Sequence, residues 1–462
     1  VFELKWSLQE ILKASGGTLL QGDAKTLVSA ISTDSRTLQK GDFFLCLVGE
    51  KFDGHHFIEE VLSKGAAGII LQKDRWKAFA SPIPFLGVAD TLHAYGNIAR
   101  AWRRKFTIPL VAIGGSNGKT TTKDMSAAVL SAQFNTLATE GNLNNLIGVP
   151  KMLLKLNEKH EAAVIEMGMN DFGEMARLTE IAEPTIGLLT NTGFEHVEKM
   201  KDLAGVARSN GEMFEGLPSG ALALINEDDA YIPQMPTRAY KITFGLEKPA
   251  TIFCARYDLS EKGIQLEIRY LGKTYSFEVR AYGKANVKNA LAALSIGFAL
   301  GIDPLKMRKT LAAYQGRAMR LEILKLKKGL TLLNDCYNAN PSSMVAALET
   351  LVSLKKGEST LAILGEMREL GNFSEEGHRQ VGEAVARHHI SHLISVGPHS
   401  KVMLKGAIQG GMKRDQCLAV SVQEEAHERI FSWVLESKAV LVKGSRGAQM
   451  EKISEFIKGK FS

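Results

Sequence analysis

Pro109-Leu110-Val111-Ala112-Ile113-Gly114-Gly115-Ser116-Asn117-Gly118-Lys119-Thr120-Thr121 is an apolar strand that runs into a glycine-rich turn ending in Gly-Lys-Thr-Thr. Three glycines allow a tight turn that brings backbone N–H groups onto phosphate oxygens. The helix expected next aims the positive end of its dipole at the same anion. On this reading Gly115, Ser116, Asn117, Gly118, Lys119, Thr120 and Thr121 hold the phosphates of ATP or GTP, with Lys119 on the β/γ-phosphates and the Thr120 hydroxyl on Mg²⁺. The common spacing G-x-x-x-x-G-K-[ST] asks for glycine at position 113, where this chain has Ile113, so the loop is one residue short.

At 462 residues the chain exceeds what one apolar core supports, which predicts about two to four domains. With 45% hydrophobic and 23% charged residues it is neither disordered nor fibrous. The net charge of +7 is modest for this length, and the densest basic run, Arg103-Arg104-Lys105, reads as a solvated linker. A nucleic-acid surface would need a basic stripe with interleaved aromatics. Cys46, Cys254, Cys336 and Cys417 are far apart and form no C-x-x-C pair, so neither a disulfide framework nor a zinc site is expected. The longest apolar run, about Ala290 to Ile302, is too short to cross a bilayer, and no signal-peptide layout is present. A cytoplasmic protein without nucleic-acid or membrane partners is expected.

The chain reads as α/β throughout, in three domains. Residues 1–104 mix short strands, such as Asp42 to Val48, with helices, such as Phe57 to Lys64, and form a small α/β domain. Residues 105–314 alternate strands such as Ala162 to Ile165 and Ile186 to Leu189 with helical stretches, which predicts a mostly parallel sheet with helices on both faces. Thr251 to Arg280 reads as a β-meander extending that sheet, followed by a helix from about Val287 to Leu300. Residues 315–462 alternate again and read as a Rossmann-like, doubly wound domain, with strands at Leu330–Asn334, Thr360–Leu364, His392–Val396, Cys417–Val420 and Ala439–Val442.

Three polar clusters follow apolar strands at their carboxyl ends, the edge where open α/β sheets bind ligands. In Glu166-Met167-Gly168-Met169-Asn170 the carboxylate is placed to take Mg²⁺ directly or through water, the alternative being a surface glutamate at a turn. In Thr190-Asn191-Thr192-Gly193-Phe194-Glu195-His196 the histidine is a metal ligand, a base or a hydrogen-bonded loop residue. The third runs from Asn334 to Ser343; its Pro341 suits the first turn of a following helix, so part of this cluster serves as a cap.

Together these motifs resemble the Mur ligases over nearly the whole chain. The marks are the short loop Gly115 to Thr121, Gly141-Asn142-Leu143-Asn144-Asn145-Leu146-Ile147-Gly148-Val149-Pro150, Glu166-Met167-Gly168, Glu195-His196 and Gly316-Arg317-Ala318-Met319-Arg320-Leu321-Glu322. To these are added the Asn334 to Pro341 turn, Leu364-Gly365-Glu366-Met367-Arg368-Glu369-Leu370-Gly371 and Lys443-Gly444-Ser445-Arg446. The resemblance implies ATP-dependent amide ligation through an acyl phosphate. Lys119, Glu166, His196 and Arg320 would be the catalytic groups, with Mg²⁺ on Thr120 and Glu166 and a second Mg²⁺ on His196. By the same match Asp335 would hold the ATP ribose, Asn286 and Asn289 would surround the adenine, and Asn142, Asn144, Asn145, Asn338 and Asn340 would contact substrate. The first domain would bind a UDP-sugar through Thr33-Asp34-Ser35-Arg36 and Phe52-Asp53-Gly54-His55, with Ser35 and Arg36 at the diphosphate end. A hinged monomer is implied.

Two positions depart from the family pattern. A lysine that becomes carbamylated and binds Mg²⁺ is usual where this chain has Asn210, and Ala285 stands where histidine or phenylalanine is common near adenine. Within the family, Asn338-Ala339-Asn340-Pro341 and the lack of Asp-Asn-Pro-Arg disfavour the members that add a diamino acid. They favour those that add D-alanyl-D-alanine to UDP-N-acetylmuramoyl-tripeptide. Folylpolyglutamate synthase shares the loop and chemistry but would begin near the loop. A reading from another class is a nucleotide switch that signals by domain movement.

Overall fold

Residues 6–49, 52–194, 200–354 and 357–461 are described by a computed structural model. Among them the loop-bearing strand Leu110–Gly114 lies inside a nine-stranded sheet. Its spatial order is Lys273–Val279, Gly263–Tyr270, Ile252–Ser260, Tyr240–Gly245, Leu222–Asn226, Ile186–Leu189, Leu110–Gly114, Ala162–Glu166 and Thr136–Ala138. The strands pair in parallel except across the three residues-251-to-280 strands, which form the expected antiparallel meander. Val111 and Ile113 pack on one face with Met125 and Leu294, from helices Lys119–Leu130 and Lys284–Ala299. Leu110 and Ala112 pack on the other with Met152 and Leu178, from helices Gly148–Leu153 and Glu174–Ala182. Cover on both faces is why these strands read as unbroken apolar runs.

The C-terminal sheet has the order Glu322–Lys325, Thr331–Asp335, Ala439–Lys443, Thr360–Leu364, His392–Val396 and Cys417–Val420, parallel apart from its first strand. In the N-terminal part, Thr18–Gln21, Phe85–Val88, Gly68–Gln72, Phe43–Leu45 and Ile31–Ser32 form a smaller sheet. The strand expected at Asp42 to Val48 is shortened to Phe43–Leu45, and a 3₁₀ turn at Gly54–Phe57 precedes the helix Ile58–Ser63.

The basic run Arg103-Arg104-Lys105 is not the solvated linker expected from its charge. Arg103 is buried, its Nε donating to the Ala182 carbonyl at 3.2 Å and its Nη2 to that of Ile108 at 3.2 Å. Arg104 pairs with Glu183, and Lys105 reaches Glu10 at 2.9 Å while lying over the Trp6 ring. The run rivets the N-terminal part to the central sheet. One apolar cluster continues across the same joint, from Trp6, Ile98 and Trp102 to Val149 and Ile165. The C-terminal sheet keeps its own clusters, which draw only on residues from Met319 onward. Among the described residues its contacts with the central part include Arg317 to Asp124 at 3.5 Å and an isolated stack of Phe194 on Phe373, and the two share no apolar cluster. A body joined this way can move without exposing a core.

Candidate active site

Strand register sets the site. Glu166 lies opposite Ile113 on one neighbouring strand and Leu189 opposite Gly114 on the other, so the polar residues after each strand gather around the phosphate loop. Gly115 has φ +109° and Gly118 φ +81°; a Cβ on the first would run into the Thr190 hydroxyl and on the second into Asn289 Oδ1. Both positions need glycine for shape as well as space. The helix begins at Lys119, so the N–H groups of Thr120 and Thr121 lack intrahelical partners. Lys119 Nζ folds back onto the carbonyls of Gly115 and Ser116.

A cleft of about 820 Å³ opens between this edge and the C-terminal sheet. Ser116, Asn117, Gly118, Lys119, Thr120, Thr121, Asn142, Asn144, Asn145, Glu166, Asn286, Asn289, Arg320, Asp335, Asn338 and Asn340 all line it. Gly115, Ser35 and Arg36 are not among the residues that line it. Ser35 is buried in the N-terminal part, while exposed Arg36 pairs with Asp34 at 2.7 Å, a contact that holds the Asp34 carboxyl down at about 2. His196 and Glu195 fall outside the described residues.

Glu166 is 2% exposed. Its Oε1 accepts from Asn144 Nδ2 at 2.8 Å and its backbone N–H donates to the Thr139 hydroxyl, but Oε2 is buried without a partner. An orphaned anionic oxygen on the wall of a phosphate-loop cleft that Thr120 also lines fits a divalent cation. Thr192 Oγ1 and Arg320 Nε are also buried without partners, and both residues line the cleft. Asn210 does something other than the family position suggests. Buried in the helix Leu203–Gly216, it donates from Nδ2 to the Val206 carbonyl and accepts the Gly115 N–H on Oδ1 at 3.2 Å. It buttresses the loop, and its neutral amide adds no charge for a second metal.

Arg320 occupies a strained turn: its neighbours Met319 and Leu321 have φ of 60° and 48°, left-handed values that side chains resist. Asp335 holds that turn, accepting the Leu321 N–H on Oδ1 at 3.0 Å, while its Oδ2 takes Lys443 Nζ at 2.6 Å. The carboxylate expected on ribose is thus engaged within the protein. Asn286 and Asn289 are likewise tied to each other, with Asn289 Oδ1 accepting the Thr122 hydroxyl. Lys443, 3% exposed and also bonded to the Asn338 carbonyl, is a cleft residue that motif reasoning left unassigned. Its signal was an apolar strand, Ala439 to Val442, ending in a charge, the pattern that singled out Glu166.

The Arg320 guanidinium lies 3.9 Å from the centroid of the Tyr337 ring. Such a contact is worth ~0.5–2 kcal/mol. Tyr337→Leu is therefore expected to lower turnover ~5-fold and Tyr337→Phe to leave it near the parent; equal losses in steady-state assays would remove the ring from Arg320's support.

Behind the Glu366 to Leu370 segment, Glu366, His378 and His399 converge. His399 Nδ1 meets Glu366 Oε1 at 2.6 Å, while His378 accepts the Met367 N–H on Nε2 at 3.0 Å and faces the Ser374 carbonyl with Nδ1 at 2.7 Å. Both ring nitrogens of His378 are in use, which makes this a hydrogen-bonded hub and not a metal site. Burial pushes the His378 imidazole below the ordinary 6.5. The unfolded chain then binds the extra proton more readily, so this contribution to stability is present above about pH 6.5 and fades as pH falls below it. His378→Gln is expected to flatten melting temperature against pH between about 6.5 and 5 relative to the parent; unchanged slopes would dismiss the hub. Burial also raises the thiols of all four cysteines, Cys336 to about 12, which leaves them unreactive.

Three family models match the chain in order: the Mur ligase family catalytic domain at residues 27–102, the Mur ligase middle domain at 113–297, and the Mur ligase glutamate ligase domain at 319–446. The chain belongs to the Mur ligase family. The UDP-N-acetylmuramoyl-tripeptide--D-alanyl-D-alanine ligase of Bacillus subtilis is 31% identical over 97% of this chain and 98% of its own. That of Synechocystis is 37% identical over 78% of this chain and 77% of its own. A crystal structure of MurF from Acinetobacter baumannii superposes with a TM-score of 0.91 at 29% identity, covering 99% of this chain and 100% of that one. Among the described residues of this Mur ligase no helix is long and apolar enough to cross a membrane.

Proposed function

We infer that this Mur ligase joins D-alanyl-D-alanine to UDP-N-acetylmuramoyl-tripeptide at the expense of ATP, the step that completes the pentapeptide precursor of peptidoglycan. The observation that carries this reading is one cleft in which the phosphate loop, Glu166 and Arg320 face each other from two bodies, in a chain related end to end to ligases of that name. The reaction runs in two halves. The tripeptide's terminal carboxylate attacks the γ-phosphorus, the bond to the β,γ-bridging oxygen breaks, and acyl phosphate and ADP form. The dipeptide amine then attacks the acyl carbon, losing a proton, and phosphate departs as the amide forms.

Phosphoryl transfer needs charge compensation and in-line placement more than covalent help. The loop N–H groups and Lys119 hold the phosphates, and Arg320, backed by Tyr337, meets charge on the phosphoryl group in flight. Thr120 and Glu166 would hold Mg²⁺, which would supply Lewis-acid neutralisation. Asn142, Asn144, Asn145, Asn338, Asn340, Asn286 and Asn289 line the cleft; the first five would take the peptide end and the last two the base, and residues 1–104 would hold the UDP-sugar through Ser35 and Arg36. Arg36 would exchange Asp34 for a diphosphate there. The deciding experiment follows phosphate release from ATP and Mg²⁺ with UDP-N-acetylmuramoyl-tripeptide, with and without D-Ala-D-Ala, and weighs the product. Release that needs both substrates and yields the pentapeptide is expected; nucleotide binding with no release under any combination would overturn the reading in favour of a switch.

A further inference from the structure

Asn117 and Asn340 both border the cleft, one on the phosphate loop and one in the C-terminal body, yet their side chains meet each other. Asn340 Nδ2 donates to Asn117 Oδ1 at 2.8 Å, Asn117 Nδ2 donates to the Ser342 hydroxyl at 3.1 Å, and that hydroxyl donates to Asn340 Oδ1 at 3.0 Å. The three side chains close a ring across the joint between the two bodies. Both ends of the ring are anchored. The Asn117 backbone N–H donates to Asn191 Oδ1, and its carbonyl accepts from the Thr190 hydroxyl and from Asn191 Nδ2. On the other side Asn340 Oδ1 accepts the Ser343 N–H at 2.9 Å, so the same residue caps the helix Pro341–Leu354.

We propose that Asn117 is a positioning residue that latches the phosphate loop to the Asn340 cap, holding the C-terminal body, and with it Arg320, over the nucleotide in the closed state. This rests on the ligase reading above, and removes the Asn117 side chain from the set of direct phosphate ligands. Because among the described residues the C-terminal body shares no apolar core with the rest, a few contacts, these hydrogen bonds and the Phe194–Phe373 stack among them, decide how much of the protein is closed. Losing the two hydrogen bonds that cross the joint shifts such an equilibrium by about tenfold.

The test is a double-mutant cycle of Asn117→Ala and Asn340→Ser, serine being a good helix cap that is too short to reach the loop. Asn117→Ala, which removes both bonds across the joint, should turn over about tenfold more slowly than the parent, Asn340→Ser, which leaves the Asn117–Ser342 bond, about threefold, and the pair no more slowly than Asn117→Ala, with ADP affinity within about twofold and unchanged melting temperature. Losses that multiply to about 30-fold in the pair would overturn the latch, as would a tenfold weaker ADP affinity in Asn117→Ala alongside parental turnover in Asn340→Ser. If the parent itself forms no amide, the ligase reading fails, and the latch is judged by hydrogen exchange alone. Faster exchange at the Ser343 and Met344 amides in Asn117→Ala supports it, and unchanged exchange dismisses it.

Discussion

Lys119→Ala is expected to lower turnover ~1,000-fold while leaving the melting temperature at or slightly above that of the parent. The ammonium is the cation of the loop itself, resting on the Gly115 and Ser116 carbonyls at the first position of its helix. On the ligase reading that cation would offset charge that grows on the β,γ-bridging oxygen as the bond breaks. The loop N–H groups can still bind ADP, so the loss should fall on kcat more than on nucleotide affinity. For the fold the substitution is mild, because a cation at a helix N-terminus opposes the dipole and alanine favours helix. Phosphate release and a thermal melt on the same preparation check both halves. Turnover within about fivefold of the parent would remove Lys119 from the reaction.

Strands of the central and C-terminal sheets were readable almost to the residue. Ile186–Leu189, Thr360–Leu364, His392–Val396 and Cys417–Val420 stand where expected, because strands buried on both faces are uninterrupted apolar runs with polar ends. The same logic located Glu166, and applied evenly would have located Lys443. What stayed hidden depends on partners distant in the chain. Arg103-Arg104-Lys105 looked solvated because Glu10, Ala182 and Glu183, which hold it, lie about 80 to 95 residues away. Asn117 read as one more loop residue until Asn340, 223 positions on, came to face it. Asp335 and Tyr337 supported a shared motif, but only the fold reveals that one braces the turn carrying Arg320 and the other carries its guanidinium.

Glu166→Gln is expected to abolish catalysis, ~1,000-fold or more, and yet to raise the melting temperature in metal-free buffer by ~2–4 °C. The two effects share one cause. A carboxylate at 2% exposure whose Oε2 has no partner is a poor arrangement for the ligand-free fold, with a penalty of ~1–3 kcal/mol for the unmet oxygen. Glutamine keeps the Asn144 bond on Oε1 and puts an NH₂ group where the unmet oxygen stood, so the fold gains by the buried charge it no longer carries. It loses the anionic oxygen that a hard dication prefers, so Mg²⁺ is expected to raise the melting temperature of the parent and not that of the variant. Differential scanning calorimetry with EDTA and then with Mg²⁺, on parent and variant, separates the contributions without any substrate. A variant that melts lower in EDTA and still gains from Mg²⁺ would mean that Glu166 is a structural acceptor for Asn144 and that the cation is held elsewhere. A variant that melts higher and is blind to Mg²⁺ would identify strain kept in the empty fold for the sake of the metal-bound one.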